Sequence, residues 1–369
     1  MKFRAFILFF LLLGVVPDLL ISLLYFPQLS FLWKGVICLP TLALFILLVN
    51  IGTGWHYTQS VTLFSYIIFI IALPKALFTI VKPAGFWVAL GLGLAVSAFF
   101  STLIFYSTRH LKVNRVELGF GHLPKAFDGL KICQLTDMHL GSFGKTAGYI
   151  KRIVDQTLAL RPDLILFTGD LVNFSTSEAE PYLGELARLK APMGIFSIRG
   201  NHDYLMHGHH NDESRMKDTE KLLAMERGLG WNVLLNSNVT LDKDGEEIAL
   251  VGVENVSSNP YFTKMGGDLK KALEGLRNGI FTILMSHDPS HWRAEVVPVS
   301  DIPLTLSGHT HGLGYKAAGP HISHWKLKES RGVYTQDGQV LHVSRGLGSA
   351  FAFRLGGFPN VDLITLKKN

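Results

Sequence analysis

Cysteine is nearly absent: Cys38 and Cys133 are the only two in 369 residues. Two thiols build no disulfide framework and no cysteine-rich zinc cluster, and their rarity agrees with a reducing compartment. Acidic residues are almost missing from the first 108 positions, where Asp18 stands alone. Runs of Lys and Arg interleaved with aromatic residues are missing throughout, and the net charge of +6 does not replace them. Once the five basic residues and the one acidic residue of the first 108 positions are set aside, the rest of the chain carries only +2. Nucleic acid is therefore not expected as a partner. No tandem repeat is visible.

What the first hundred residues do contain is apolar length. Phe3 to Phe26, Phe31 to Val49, Val61 to Val81 and Phe86 to Tyr106 each approach the roughly 20 apolar residues that cross a bilayer. The reading is about four membrane helices over residues 1–110. The first run is long, lacks a small-x-small cleavage site and is followed by further spans, so a retained anchor is expected rather than a cleaved signal peptide. Lys2 and Arg4 precede the first span, and Arg109, Lys112 and Arg115 follow the last. The positive-inside rule then places both ends, and the domain that follows, on the cytoplasmic side of the cell (inner) membrane. Lys75 and Lys82 blur this assignment, because they are expected in an external loop. Asp18, next to Pro17, is read as the kinked end of a helix near the interface, with a functional intramembrane charge as the competing reading.

Beyond residue 110 the pattern changes to short apolar runs: Ile132 to Thr136, Leu164 to Thr168, Ile195 to Ile198, Phe281 to Met285 and Leu304 to Leu306. Bounded by turn residues, they read as buried strands. Each is followed by a polar signature, namely Asp137-Met138-His139, Gly169-Asp170, Gly200-Asn201-His202-Asp203, Ser286-His287 and Gly308-His309-Thr310-His311. In open α/β sheets ligands gather outside the carboxyl ends of strands, so these five ends are expected to converge on one rim of a sheet. Lys145 to Leu160 and Glu178 to Leu189 have helical spacing, giving β-α-β-α-β over residues 131–198. Leu241 to Glu254 reads as a hairpin turning at Asp244-Gly245.

Asp137, His139, Asp170, Asn201, His287, His309 and His311 offer carboxylate, amide and imidazole groups, which suit divalent Mn, Fe, Zn or Mg. Two such ions about 3.5 to 4 Å apart clamp the attacking and leaving oxygens of a displacement at phosphorus and acidify a bound water. Singly, each residue has a bland reading: His287 as a core histidine, Asp170 as a helix cap, Gly200-Asn201 as a turn. Jointly these readings leave unexplained why most strand ends carry a metal-competent group.

With these motifs in this order, the chain from about Val113 onward resembles the calcineurin-like metallophosphoesterases, in particular their membrane-associated bacterial phosphodiesterase branch. The matching signatures are Asp-x-His at 137–139, Gly-Asp-x-x-Asn at 169–173, Gly-Asn-His-Asp at 200–203, His287 and Gly-His-x-His at 308–311. The resemblance implies a four-layered α/β/β/α sandwich over residues 111–369, preceded by the α-helical transmembrane region. It implies that Asp137, His139 and His311 bind one metal, that Asn201, His287 and His309 bind a second, and that Asp170 bridges them. It also implies a metal-bridging hydroxide as nucleophile, His202 as general acid or phosphoryl donor, and Asp203 as the residue that orients the His202 ring. The family often continues its last motif with a second glycine and a glutamine, whereas Leu313-Gly314-Tyr315 stands here, so the pocket shape is expected to differ.

The function expected is metal-dependent hydrolysis of a phosphodiester or pyrophosphate, with the anchor pointing to a lipid-linked substrate. Some enzymes of the branch that the chain resembles cleave the pyrophosphate of a UDP-diacylglucosamine, and this is the most specific substrate the resemblance implies. A phosphatase for a soluble metabolite or phosphoprotein, and a non-enzymatic membrane sensor that keeps the metal site, are the alternatives. Tyr204 to Lys221, with His207, His209 and His210, is read as an irregular polar loop flanking the pocket rather than a third metal site. Arg345 either reaches substrate phosphate or makes a structural ion pair.

Overall fold

A computed structural model describes residues 11–53, 57–107, 110–143, 147–206, 211–257, 265–312, 328–349 and 358–369. These divide into two compact units, one ending at Tyr106 and the other beginning at Ser107. His207, His209, His210, Arg354 and Leu313-Gly314-Tyr315 lie outside the described residues.

The second unit holds twelve strands among its described residues: β1 (Lys112–Phe120), β2 (Lys131–Leu135), β3 (Leu164–Phe167), β4 (Ile195–Ser197), β5 (Asn232–Val233), β6 (Ser237–Lys243), β7 (Glu246–Gly252), β8 (Phe281–Met285), β9 (Leu304–Ser307), β10 (Gly332–Gln336), β11 (Gln339–Val343) and β12 (Asn360–Lys368). They form two six-stranded sheets in the orders β1-β12-β2-β3-β4-β5 and β10-β11-β9-β8-β7-β6. The runs β2-β3-β4-β5 and β11-β9-β8-β7 are parallel. Parallel strands buried on both faces read as unbroken apolar runs, which is why the sequence betrays them.

Side-chain alternation assigns the layers. Leu164 and Leu166 of β3 point between the sheets, where they meet Ile248, Leu250, Ile283, Met285, Leu304 and Leu306. Ile165 and Phe167 point the other way, against Ile150, Ile153 and Val154 of the helix Gly148–Ala159. Burying a side chain such as Phe167 contributes roughly 1.5–3 kcal/mol. On the far side, Trp292, Leu269 and Ala272 cover Val251, Leu284 and Leu341. The result is the expected α/β/β/α sandwich. The five strand ends, however, do not share one sheet: β2, β3 and β4 belong to the first and β8 and β9 to the second. The site is assembled across the sandwich.

The hairpin turns as read, with Asp244 (φ 54°) and Gly245 (φ 80°) both left-handed. Two local readings change. Glu178 to Leu189 is broken into short turns, Thr176–Glu178, Glu180–Tyr182 and Leu183–Leu186, because Pro181 cannot donate to a continuous helix. The segment after Asn211 is not irregular but the helix Asp212–Gly228. Asn211 caps it by accepting the Ser214 N–H at 2.8 Å, and Glu213–Lys217 pairs along its face. Few apolar residues mark this helix, so its caps and charges carried the signal that hydrophobic spacing did not.

In the first unit, Phe31–Ile51, Gln59–Ala84 and Phe86–Phe105 are long and apolar enough to cross a membrane, and Leu12–Tyr25 is a shorter apolar helix. The expected first span, Phe3 to Phe26, lies partly outside the described residues. Asp18 is not at a helix end exposed to an interface. It is buried and paired with Lys75, whose ammonium also reaches Thr41 Oγ1 at 3.2 Å. Lys75 is thus inside the helix Leu73–Val81 and not in an external loop. Each of the three polar residues follows a proline, Pro17, Pro40 and Pro74. Prolines and the π-helical turns Leu11–Val15, Leu20–Tyr25 and Ile68–Ala72 loosen the backbone at this level.

Candidate metal centre

Every candidate ligand follows a strand end by a few residues, at a point where the chain turns sharply. Of the ten described non-glycine residues with positive φ, five are candidate ligands: Asp137, His139, Asp170, His309 and His311. Such conformations cost free energy and persist only where surrounding contacts fix them, so their concentration marks the site. Glycine serves close approach here: a Cβ on Gly200 would collide with the Asp170 carboxylate, and one on Gly308 with that of Asp137.

Asp137, His139, Asp170, Asn201 and His287 are buried, whereas His202, His309 and His311 keep partial exposure. Ligand atoms of Asp137, His139 and His311 lie within 4.8 Å of one another, as do those of Asp170, His287 and His309, and those of His139, Asp170 and His202. Asp170 is common to two of these groups. Its Oδ2 stands 3.2 Å from His287 Nε2 and 3.6 Å from His139 Nε2.

Hydrogen bonds decide which ring nitrogens are bare. His287 Nδ1 lies 2.8 Å from the Thr168 carbonyl, which can only accept, so Nδ1 carries the proton and Nε2 turns toward Asp170. His139 Nδ1 meets Asn173 Oδ1 at 2.7 Å, and its Nε2 likewise turns toward Asp137 and Asp170. Among the described residues both Nε2 atoms, with Asn201 Oδ1, are buried without a hydrogen-bond partner, although the Asp170 carboxylate stands close to each ring. Lone pairs facing a carboxylate repel unless a cation lies among them. On His287 burial favours the neutral ring, but Asp170 prevails and pushes the ring up to about 10. The same solution does not serve His139, which burial pushes down to about 3. A divalent cation held among these groups would satisfy both rings, and this donor set of imidazole, carboxylate and amide fits one.

His202 donates its backbone N–H to Asp170 Oδ1 at 2.9 Å, and its Nδ1 lies 2.9 Å from the Asn173 carbonyl. Asp203 does not orient that ring. Its carboxylate accepts the backbone N–H groups of Asp170 (2.7 Å), Leu171 (2.9 Å), Val172 (3.3 Å) and Gly200 (2.9 Å). It clamps the β3 and β4 loops together, and burial beside Asp170 raises its pKa to about 6. A side chain that serves backbone donors distant in sequence leaves no local signature. Asp288 is a second residue the motifs did not single out: its Oδ2 lies 3.6 Å from His309 Nε2, and its position directly after His287 was the available hint. Arg345 directly precedes Gly346, which packs on Asp137, so its backbone lies beside the site.

Comparison with known proteins bears on the same residues. The family model for calcineurin-like phosphoesterases matches residues 130–313, which include all seven candidate ligands. An uncharacterised metallophosphoesterase of Bacillus subtilis, YkuE, is 30% identical over 255 residues, covering 66% of this chain and 82% of that protein. The UDP-2,3-diacylglucosamine pyrophosphatase LpxG of Chlamydia trachomatis is 27% identical over 311 residues, covering 69% of this chain and 90% of that protein. A transmembrane protein with metallophosphoesterase domain from Bos taurus is 32% identical over 207 residues; the match covers 54% of this chain and only 44% of that relative's length. The buried cluster of imidazole and carboxylate groups and the family match over the strands that carry it agree: this chain belongs to the calcineurin-like metallophosphoesterases.

Proposed function

We propose that the protein is a membrane-anchored hydrolase that uses two divalent ions to cleave a phosphodiester or pyrophosphate bond in a lipid-linked substrate. The observation that carries this reading is the pair of buried Nε2 atoms of His139 and His287, both turned toward the Asp170 carboxylate. Asp137, His139 and His311 would hold one ion, Asn201, His287 and His309 the other, and Asp170 both. When bound, the ions supply Lewis-acid stabilisation of phosphoryl oxygens and acidify water. His202, half-buried at the edge of the cluster with its Nδ1–H held by a carbonyl, has Nε2 free for the substrate; as the imidazolium it would give the Nε2 proton to the leaving oxygen and return to the neutral ring.

The lipid-linked substrate is supported by the apolar helices of the first unit and by the likeness to a pyrophosphatase of a diacylated sugar nucleotide. Orientation is supported by charge. With Lys75 paired inside the helices, Lys34 and Lys82 are left to face Lys2, Arg4, Arg109, Lys112 and Arg115 across the spans, which favours a multi-pass arrangement in the cell membrane with the phosphoesterase unit cytoplasmic.

The test is hydrolysis by the full-length protein in lipid nanodiscs with Mn²⁺. Substrates are UDP-diacylglucosamine, a short-chain analogue and a chromogenic phosphodiester, each also given to His202→Gln. Metal-dependent cleavage that prefers the acylated substrate and falls by about 10²–10⁴-fold in the variant is expected. Equal turnover of the short-chain analogue would move the reading to a soluble substrate. A folded, metal-loaded protein that cleaves none of them would leave a metal-binding sensor.

A further inference from the structure

We propose that Asn173 is a positioning residue for the metal centre, fixing the ring of His139 so that its Nε2, and not its Nδ1, is presented to a metal ion. The assignment follows from a chain of hydrogen bonds in which each direction is forced. It rests on the metal-binding reading above and does not require that the protein turn over a phosphoester.

The chain starts at Ser349, whose backbone carbonyl can only accept. Ser142 Oγ lies 2.5 Å from it and so spends its single proton there. Toward its other neighbour the Ser142 hydroxyl can therefore only accept. That neighbour is the Asn173 amide, 3.0 Å away, so the amide turns its NH₂ to Ser142. Its carbonyl oxygen then faces His139 Nδ1 at 2.7 Å. An amide oxygen accepts, so His139 Nδ1 carries the hydrogen and Nε2 keeps the lone pair. That lone pair faces Asp137 Oδ1 at 3.9 Å and Asp170 Oδ2 at 3.6 Å. Asn173 is itself held: it is buried, and its backbone N–H donates to Glu178 at 2.6 Å. Its carbonyl takes the Nδ1–H of His202, so one residue sets the tautomers of two histidines, one through its side chain and one through its backbone. This division makes the role testable, because substituting the side chain removes only the first contact.

The experiment is calorimetric titration of chelator-treated full-length protein in nanodiscs with Mn²⁺, comparing wild type, Asn173→Leu, Asn173→Asp and Ser142→Ala. Asn173→Leu should weaken one binding step by about 10- to 100-fold, the usual cost of losing the partner that orients a ligating histidine. Asn173→Asp should restore affinity to within a few-fold of wild type, because a carboxylate oxygen accepts the same Nδ1–H. Ser142→Ala frees the amide to turn over, and should give a smaller loss that Asn173→Asp in the same background relieves, since a carboxylate has no wrong orientation. Wild-type affinity in a folded Asn173→Leu protein overturns the proposal. So does an Asn173→Asp protein as weak as Asn173→Leu. If Asn173→Leu does not fold, the Ser142→Ala comparison decides: wild-type affinity there overturns the proposal. A wild-type protein that binds Mn²⁺ but hydrolyses nothing would sink the enzymatic reading and leave these comparisons intact.

Discussion

Two buried polar clusters, one in each unit, solve the same electrostatic problem in opposite ways. In the helical unit, Asp18 and Lys75 neutralise each other and Thr41 accepts from the ammonium, so the cluster closes on itself. In the sandwich, Asp137 and Asp170 face two buried Nε2 atoms: His287 can take up a proton against Asp170, but burial denies His139 the same answer, so the cluster does not close on itself without an added cation. Removing a charge from water is costly in either place. A cluster that carries its own counter-charge therefore points to structure, and one that leaves ligand atoms facing each other points to a bound ion. Thr41 lies ten residues past Phe31, about 15 Å along its helix at 1.5 Å per residue, which in a spanning helix would put it near the middle of a hydrocarbon core about 30 Å thick. Self-closure matters most at that depth.

Breaking the sandwich cluster should have the largest effect. Asp170→Asn keeps shape and removes the one carboxylate shared by both rings. Turnover on any phosphoester should fall by about 10³-fold or more, and Mn²⁺ binding measured by calorimetry should lose at least one site. Without metal, thermal stability at neutral pH should fall, because the neighbouring histidines hold the Asp170 carboxyl below its ordinary range and its loss strands the buried His287 ring. Wild-type metal affinity in this variant would mean the bare nitrogens do not share an ion.

Breaking the helical cluster should cost stability and leave chemistry alone. Lys75→Met strands a buried Asp18 carboxylate and should destabilise the helical unit by about 3 to 5 kcal/mol, read as a shift in its detergent or thermal unfolding. The double variant Asp18→Leu/Lys75→Met should recover most of that loss. Mn²⁺ affinity should not move, because every candidate ligand lies beyond Lys131. A double variant no more stable than the single one would show that the pair does more than neutralise itself.

The contrast also explains how much could be read in advance. Strand ends such as Leu164–Phe167 followed by Gly169-Asp170 were legible, because burial on both faces forces an apolar run and metal chemistry forces the residue types after it. Which sheet each strand joins was not, since pairing of β2 with β12, more than two hundred residues apart, is set by long-range packing. Asp203 looked like a partner of the adjacent His202, yet its carboxylate satisfies four backbone donors on neighbouring loops, and backbone donors have no sequence identity. Lys75 looked like a loop residue although it falls within the expected span Val61 to Val81; its partner, Asp18, was visible but 57 positions away.

Glu226 adds a third solution, protonation, and the mildest prediction. Its carboxyl is buried beneath β4 and takes the Ser197 hydroxyl at 2.5 Å, and the charges of Arg199 and Arg227 offset its burial only in part. Burial, reinforced by Asp203, pushes its pKa up to about 8. The folded state therefore holds a proton that the unfolded chain releases above its ordinary carboxylate range. The contribution to stability is complete below that range and is lost as pH rises through about 8. Glu226→Gln keeps an acceptor for Ser197 and cannot ionise, so its melting temperature should decline less than that of wild type between pH 5 and pH 9. Parallel profiles for the two proteins would mean that Glu226 stays ionised in the fold, and that the sandwich tolerates a buried anion it does not use for metal.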